Sequence, residues 1–400
     1  MLAGLAFWRI ALKFENHLQR PSKPVGKLGK LMKMRYQNVC IESFGYTLPQ
    51  EIWTSTGIED KLAPLYERLR LPEGRLEMMT GIRERRFWPQ NIRPSELSVS
   101  SAGLALEAAG IDPASVGCLI HGSVCRDFLE PATSCTVHHQ LGLASDCVIY
   151  DVSNACLGIM NGMVQAANMI ELGQIQSALV VGSEGGRQLV ETTIDTLNRD
   201  ESLTRKSIKS AVASLTIGSA SCAVLLTHRS ASKTGNQMVA ACCKANTQFN
   251  ELCQSHQDQA GSEMTPLMET DSEELMKRGI ETGAATMSEF LEESGWSADA
   301  IDRTVCHQVG GTHRKLMLEA LGLTEPRDYA TFSWLGNTGA AALPITMAMA
   351  CENEFVLPGD KVGMFGIGSG INCLMIAAEW KKSLVRGTTW QSKPLSVLPR

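Results

Sequence analysis

The stretch Cys147-Val-Ile-Tyr-Asp151-Val-Ser-Asn-Ala-Cys156-Leu-Gly158 decides how this chain is read. An apolar, β-rich run gives way to small polar residues, then to a cysteine and a glycine, and a helical pattern follows from Leu157 to Leu172. A strand that passes into a helix leaves side chains and free backbone groups at the strand's carboxyl end, where α/β proteins collect their sites. Thr304-Val-Cys306-His307-Gln308 and Leu335-Gly336-Asn337-Thr338-Gly339 present a histidine and an asparagine in the same way. A cysteine gathered in space with a histidine and an asparagine is a recurring arrangement for a covalent thiol nucleophile. The chain order Cys, His, Asn, with neighbouring glycines, points to acyl transfer on thioesters.

Working outward, the chain repeats itself. Ile111 to Ser123 resembles Trp296 to Gln308: each follows a helical stretch, turns on polar residues and enters an apolar strand. Cys147 to Val152 leads to Cys156 as Tyr329 to Ser333 leads to Asn337. Ser177 to Glu184 corresponds to Asp360 to Gly368. One nearly constant offset across three strand-plus-helix units indicates duplication. Strands alternating with helices predict an α/β fold with parallel-rich sheets. The two halves place Cys156 and Asn337 at equivalent positions, so the site is expected at their junction.

The expected boundaries are an N-terminal extension over residues 1–34, disordered or non-native; a first half over 35–228 carrying the cysteine; a linker or insertion over 229–270; a second half over 271–382 carrying the histidine and asparagine; and a tail over 383–400. Residues 201–210 and 229–270 are polar and poorly periodic, and read as insertions and loops over the site entrance.

The bulk numbers exclude several classes. A net charge of −5 gives no basic field for nucleic acid. Thirteen cysteines, an odd number and several within apolar runs, read as reduced thiols in a cytoplasmic protein rather than a disulfide framework. No Cys-x-x-Cys pair has metal-ligand spacing, so no metal is expected. No run is long and apolar enough to span a membrane. Met1 to Lys33, apolar then basic, lacks the layout of a signal peptide; an amphipathic membrane-surface helix is the alternative to the extension.

Each candidate residue has an expected role. Cys156 opens a helix, whose partial positive charge is expected to lower its pKa. His307 is expected to donate a neutral Nε2–H to a thioester oxygen, and Asn337 its amide. The glycine-rich Gly366-Ile-Gly-Ser-Gly370 precedes a strand rather than a helix, which disfavours a dinucleotide site. The backbone N–H groups of Ser369 and Cys156 would form an oxyanion hole. His313 is given no role.

These segments, with Thr80-Gly-Ile-Arg-Glu-Arg-Arg86 and Val181-Gly-Ser-Glu184, resemble the thiolase superfamily on its β-ketoacyl-ACP synthase III branch, over about residues 35 to 382. The resemblance implies a duplicated five-layered αβαβα fold, a homodimer and a Cys156–His307–Asn337 site, with CoA or ACP thioesters as substrates and no cofactor. Arg126-Asp-Phe-Leu-Glu130-Pro-Ala-Thr133 resembles a stretch of the OleA family, the acyl-CoA condensing enzymes of long-chain hydrocarbon biosynthesis. That resemblance makes Glu130 a base reaching the partner's active site. Joining two plain acyl-CoAs requires removal of a Cα proton, whereas a malonyl unit supplies its carbanion by losing CO₂. In place of the tryptophan and arginine with which synthase III enzymes clamp the CoA adenine, the nearby positions hold Arg75 and Met79; Arg83, Arg85 and Arg86 either meet phosphates or are solvated or salt-bridged. The expected function is therefore head-to-head condensation of two fatty acyl-CoAs. The alternatives are a decarboxylating synthase III using malonyl-ACP, aldol chemistry of the 3-hydroxy-3-methylglutaryl-CoA synthase kind, and an inactive thiolase-fold binding subunit.

Overall fold

The computed structural model describes residues 34–255 and 268–391. The expectations for residues 1–33 lie outside them.

Ten strands carry the site: β1 (Val39–Leu48), β2 (Cys118–Gly122), β3 (Val148–Val152), β4 (Ser177–Glu184), β5 (Ala220–His228), β6 (Gln237–Ala245), β7 (Arg303–Cys306), β8 (Lys361–Gly368), β9 (Asn372–Glu379) and β10 (Val385–Thr389). Six helices complete the layers: α1 (Pro94–Ala109), α2 (Thr133–Leu141), α3 (Gly158–Glu171), α4 (Ser272–Ser294), α5 (Gly311–Ala320) and α6 (Ala342–Glu352). The first half has the order β3-β2-β4-β5-β1 and the second β7-β8-β9-β6. In both, the central strands run parallel and the next pairs antiparallel: β2 with β4 then β5, and β7 with β8 then β9. This matches the repeat in the sequence. The sheets join through the pair Cys40–Gln237.

Helices α1 and α2 pack outside the first sheet, and α4 outside the second with α5 against it; α3 and α6 fill the middle. This is the αβαβα layering. Every α6 residue from Ala342 to Cys351 is buried, as suits a mainly apolar helix between two sheets; the one polar side chain among them, Thr346, donates to the Ala342 carbonyl at 2.7 Å.

The structure corrects three expectations. Residues 229–270 are not simply a linker, because Gln237–Ala245 forms β6, hydrogen-bonded along β9 and contributing Met238, Ala240 and Ala241 to the core. The tail is not free either: β10 pairs in parallel with Phe44–Leu48 of β1. Tyr329 to Ser333 is not a strand. The segment touches β7 through a single bridge, Thr304–Asp328, then turns into the short helix Phe332–Leu335. Gln308 is the cause. Its amide donates to the Tyr329 carbonyl at 2.9 Å and accepts the Thr331 and Phe332 N–H groups at 2.7 and 2.8 Å. One side chain thus satisfies backbone groups that a ladder would otherwise use.

Close backbone approach fixes where α3 begins. A Cβ on Gly158 would lie 2.8 Å from the Gly122 carbonyl carbon, and one on Gly122 2.5 Å from that of Gly158. Only glycine on both sides lets the end of β2 touch the start of α3, two residues from Cys156. Gly158→Ala should destabilise the fold by about 1–3 kcal/mol, the usual range for overpacking, as read by denaturant unfolding.

Candidate active site

A cavity of about 1250 Å³ lies between the halves. Cys156, His307, Asn337 and Ser369 all line it, so the four residues expected at the site from this chain are brought together. Segments 204–213 and 251–253, which overlap the expected loops, supply part of its wall, and the start of α4 with the residues just before it supplies more.

Cys156 follows Ala155, whose φ of 45° places a non-glycine residue in the left-handed region. This sharp elbow presents the thiol ahead of α3. A Cβ on Gly368 would lie 3.4 Å from the Cys156 nitrogen, which sets the glycine-rich loop against the elbow. Amides tie the two together. Asn154 Nδ2 donates to Asn161 Oδ1 at 2.8 Å, while Asn372 Nδ2 donates to Asn154 Oδ1 at 3.1 Å and to the Ser369 carbonyl at 3.3 Å.

The thiol departs from expectation. Burial, then the charge of Glu184, then Cys253, push the Cys156 pKa up to about 12, and its own backbone N–H opposes them only in part. Dehydration outweighs the helix terminus, and the resting group is a thiol.

His307 is held at its backbone by an N–H donated to the Phe365 carbonyl at 2.8 Å. Its Nδ1 is buried without a protein partner. Burial, aided by His313, depresses its pKa to about 3, so the ring is neutral at physiological pH. His313, which sequence reasoning left without a role, lines the same cavity from the first turn of α5. Its Nδ1 is likewise buried and unpartnered, and burial lowers its pKa to about 4.

Asn337 is docked on the first half, its N–H donating to the Thr216 carbonyl and its carbonyl accepting from Gly218 N–H, both at 2.9 Å. Its Oδ1 accepts the Gly339 N–H at 3.1 Å. That bond orients the amide and leaves the Nδ2 hydrogens as donors. Glu184 was also missed. It is buried, lines the cavity and accepts N–H bonds from Val124 (3.1 Å) and Ala340 (3.3 Å). The signal was present in Val181-Gly-Ser-Glu184, a strand ending on a carboxylate.

Glu130 is not among the residues lining the cavity; it is exposed on the loop after β2. The arginine cluster is not a phosphate site either. Arg85 is fully buried and donates to Ser55 Oγ at 3.1 Å, Arg86 donates to the Pro49 carbonyl at 3.1 Å, and neither these nor Arg83 line the cavity. Met79 does, and Lys206 and Lys209 supply cationic charge from the 204–213 segment.

Comparison with known proteins places this architecture. Residues 77–210 match the thiolase N-terminal domain, and residues 291–380 the C-terminal part of 3-oxoacyl-[acyl-carrier-protein (ACP)] synthase III. The chain is 40% identical over 351 residues to an acyl-CoA:acyl-CoA alkyltransferase of Shewanella oneidensis, covering 87% of this chain and 100% of that one. It belongs to the thiolase superfamily, on the synthase III branch. Another member of that branch, an acyl-CoA:acyl-CoA alkyltransferase of Xanthomonas campestris, is 31% identical over 347 residues, 87% of this chain and 100% of its own. Crystal structures of Xanthomonas campestris OleA superpose with a TM-score of 0.81 at 31% identity, over 87% of this chain and 98% of theirs. They include variants with a cysteine, a glutamate or a histidine replaced, and a cerulenin-bound form. A Xanthomonas oryzae structure described as 3-oxoacyl-(acyl carrier protein) synthase III, FabH, superposes equally at 0.81 with 32% identity, over 87% of this chain and 100% of its own.

The buried neutral histidine makes the fold acid-sensitive. His307 binds its proton near pH 6.5 when unfolded but near 3 when folded, so acidification favours the unfolded chain. At pH 5 this costs about 2 kcal/mol. The melting temperature should fall between pH 7 and 5, and His307→Gln should reduce the fall.

Proposed function

We propose that this protein is a cytoplasmic acyltransferase that joins two fatty acyl-CoAs head to head into a 2-alkyl-3-oxoacyl product. The convergence of Cys156, His307 and Asn337 on one large cavity carries this reading, and the relatives named acyl-CoA:acyl-CoA alkyltransferase support it.

Cys156 attacks the first acyl-CoA, and the N–H groups of Cys156 and Ser369 receive the oxyanion. CoA leaves. The second acyl-CoA enters with its thioester oxygen against His307 and Asn337, both neutral donors, which stabilise the enolate formed on loss of a Cα proton. The carbanion attacks the Cys156 thioester; the new carbon–carbon bond forms, the carbon–sulfur bond breaks, and the departing sulfur takes up the proton removed from Cα, which regenerates the thiol. The thiol, the imidazole and the amide need no cofactor. Lys206 and Lys209 suit the CoA phosphates.

The Cα proton goes to Glu130 of the partner subunit in a homodimer. Glu130 lies apart from its own chain's cavity, on a loop where Val124, Phe128 and Leu129 are 56%, 46% and 56% exposed. Beside them β3 is an edge strand with Val148 45% exposed. A partner covering this apolar surface would bury it and deliver Glu130. In the OleA variants the replaced glutamate precedes the replaced cysteine by the interval that separates Glu130 from Cys156.

Purified protein given myristoyl-CoA, without malonyl-CoA or ACP, should release CoA and form a 2-alkyl-3-oxo acid or its ketone, identified by mass. Cys156→Ala should abolish this and Glu130→Ala should reduce it about 100-fold or more, the scale of a lost general base. Mixed dimers of the two variants should recover activity, since one of their sites is intact. The similarity to the Xanthomonas oryzae structure favours a second reading, decarboxylative condensation with malonyl-ACP. Turnover appearing only on addition of malonyl-ACP would establish that reading instead.

A further inference from the structure

Acylation of Cys156 needs a proton carrier besides the hydrogen-bond donors already named. The resting group is a thiol, so a proton must leave sulfur during attack and the departing CoA thiolate must gain one. A neutral imidazole that accepted it would become a cation where burial already excludes charge from His307 and His313. Cys125 and Cys253 are thiols themselves. Of the carboxylates lining the cavity, Asp271 caps α4 through the Glu274 N–H, Glu273 pairs with Lys209 at 3.2 Å and Glu251 is exposed.

Glu184 differs from these. It ends β4, is 6% exposed and lines the cavity that Cys156 opens to. Its carboxyl is wedged against the turn that carries Asn337: a Cβ on Gly339 would lie 3.1 Å from Glu184 Cδ, and the φ of 56° there suits glycine. The Val124 and Ala340 N–H groups fix it from the two halves of the fold.

We infer that Glu184 is the proton carrier for Cys156, taking the thiol proton as sulfur attacks the acyl-CoA and returning it to the CoA thiolate. This rests on the reading of Cys156 as the nucleophile. The atoms balance. The S–H bond breaks and a carboxyl O–H forms, while the acyl carbon exchanges its bond to CoA sulfur for one to Cys156. The carboxyl O–H then breaks as CoA leaves as a thiol. Carboxylate plus thiol carries one negative charge, and so does carboxylic acid plus thiolate. The transfer therefore creates no net charge in a site where desolvation makes charge costly. Burial raises the Glu184 pKa, which improves it as an acceptor. Two carboxylates then divide the two proton transfers, Glu184 serving sulfur and Glu130 of the partner subunit serving carbon.

Two rates in the full-length protein test this: alkylation of Cys156 by iodoacetamide as a function of pH, and the single-turnover burst of CoA from myristoyl-CoA. Glu184→Gln removes a negative charge from the cavity that Cys156 opens to, while Cys125, Cys253, His307 and His313 stay in place. Alkylation near neutral pH should become several-fold faster, because the thiol pKa falls. The CoA burst should slow about 100-fold, because the proton carrier is gone. Glu184→Asp should recover part of the burst. Alkylation and burst falling together would indicate a merely structural residue and overturn the inference, as would an unchanged burst. Absence of a burst in the unmodified protein would defeat the acyl-CoA reading; alkylation unaffected by Glu184→Gln would defeat this one.

Discussion

The dry layer between the two sheets governs the rest of the structure. Helices α3 and α6 have little access to water, and their apolar faces meet strands on either side. Burial on this scale leaves few ways of placing their ends, because a packed interior deforms little. The segment entering α3 carries Cys156, and the segment entering α6 carries Asn337. Within this layer α3 meets the turn Gly339–Ala341 that leads into α6, so the two starting points come together and the chemistry inherits its geometry from the core. The contact between the ends of β2 and α3 extends this constraint to the backbone.

The same dryness tunes the groups at the site. It holds His307 neutral, with a single ring N–H left to donate, and it keeps Cys156 protonated. A helix terminus facing water would favour the thiolate. Here the charge of Glu184 and the loss of solvent prevail. Reactivity then depends on moving a proton at the right moment rather than on a permanently charged sulfur.

Much of this was readable from the chain because local patterns and tertiary demands agree. Ser177 to Glu184, an apolar run bounded by polar residues, is β4, and the helical stretch Glu273 to Ser294 is α4 within one residue. The duplication led to the pairing of Cys156 with Asn337. What escaped depended on distant partners. Gln237–Ala245 contains lysine and glutamine with three small alanines, and it is a strand because β9 and β1 lie alongside. Tyr329 to Ser333 looks like a strand, yet Gln308 takes its hydrogen bonds. Helix position suggested an acidic thiol at Cys156, but burial and Glu184 reversed the sign. His313 enters the site through the folding of another segment and has no unusual sequence context, whereas Glu184 carried a signal, a strand ending on a carboxylate, that went unread.

The replacement of a strand by Gln308 also bears on assembly. The outer side of β7 is occupied, since Tyr329 N–H donates to the Thr304 carbonyl and Cys306 N–H to Asp328 Oδ1. Among the described residues, β3 at the opposite end has no strand on its outer side. The asymmetry between the two halves thus leaves β3 able to accept a strand from another chain and denies that to β7.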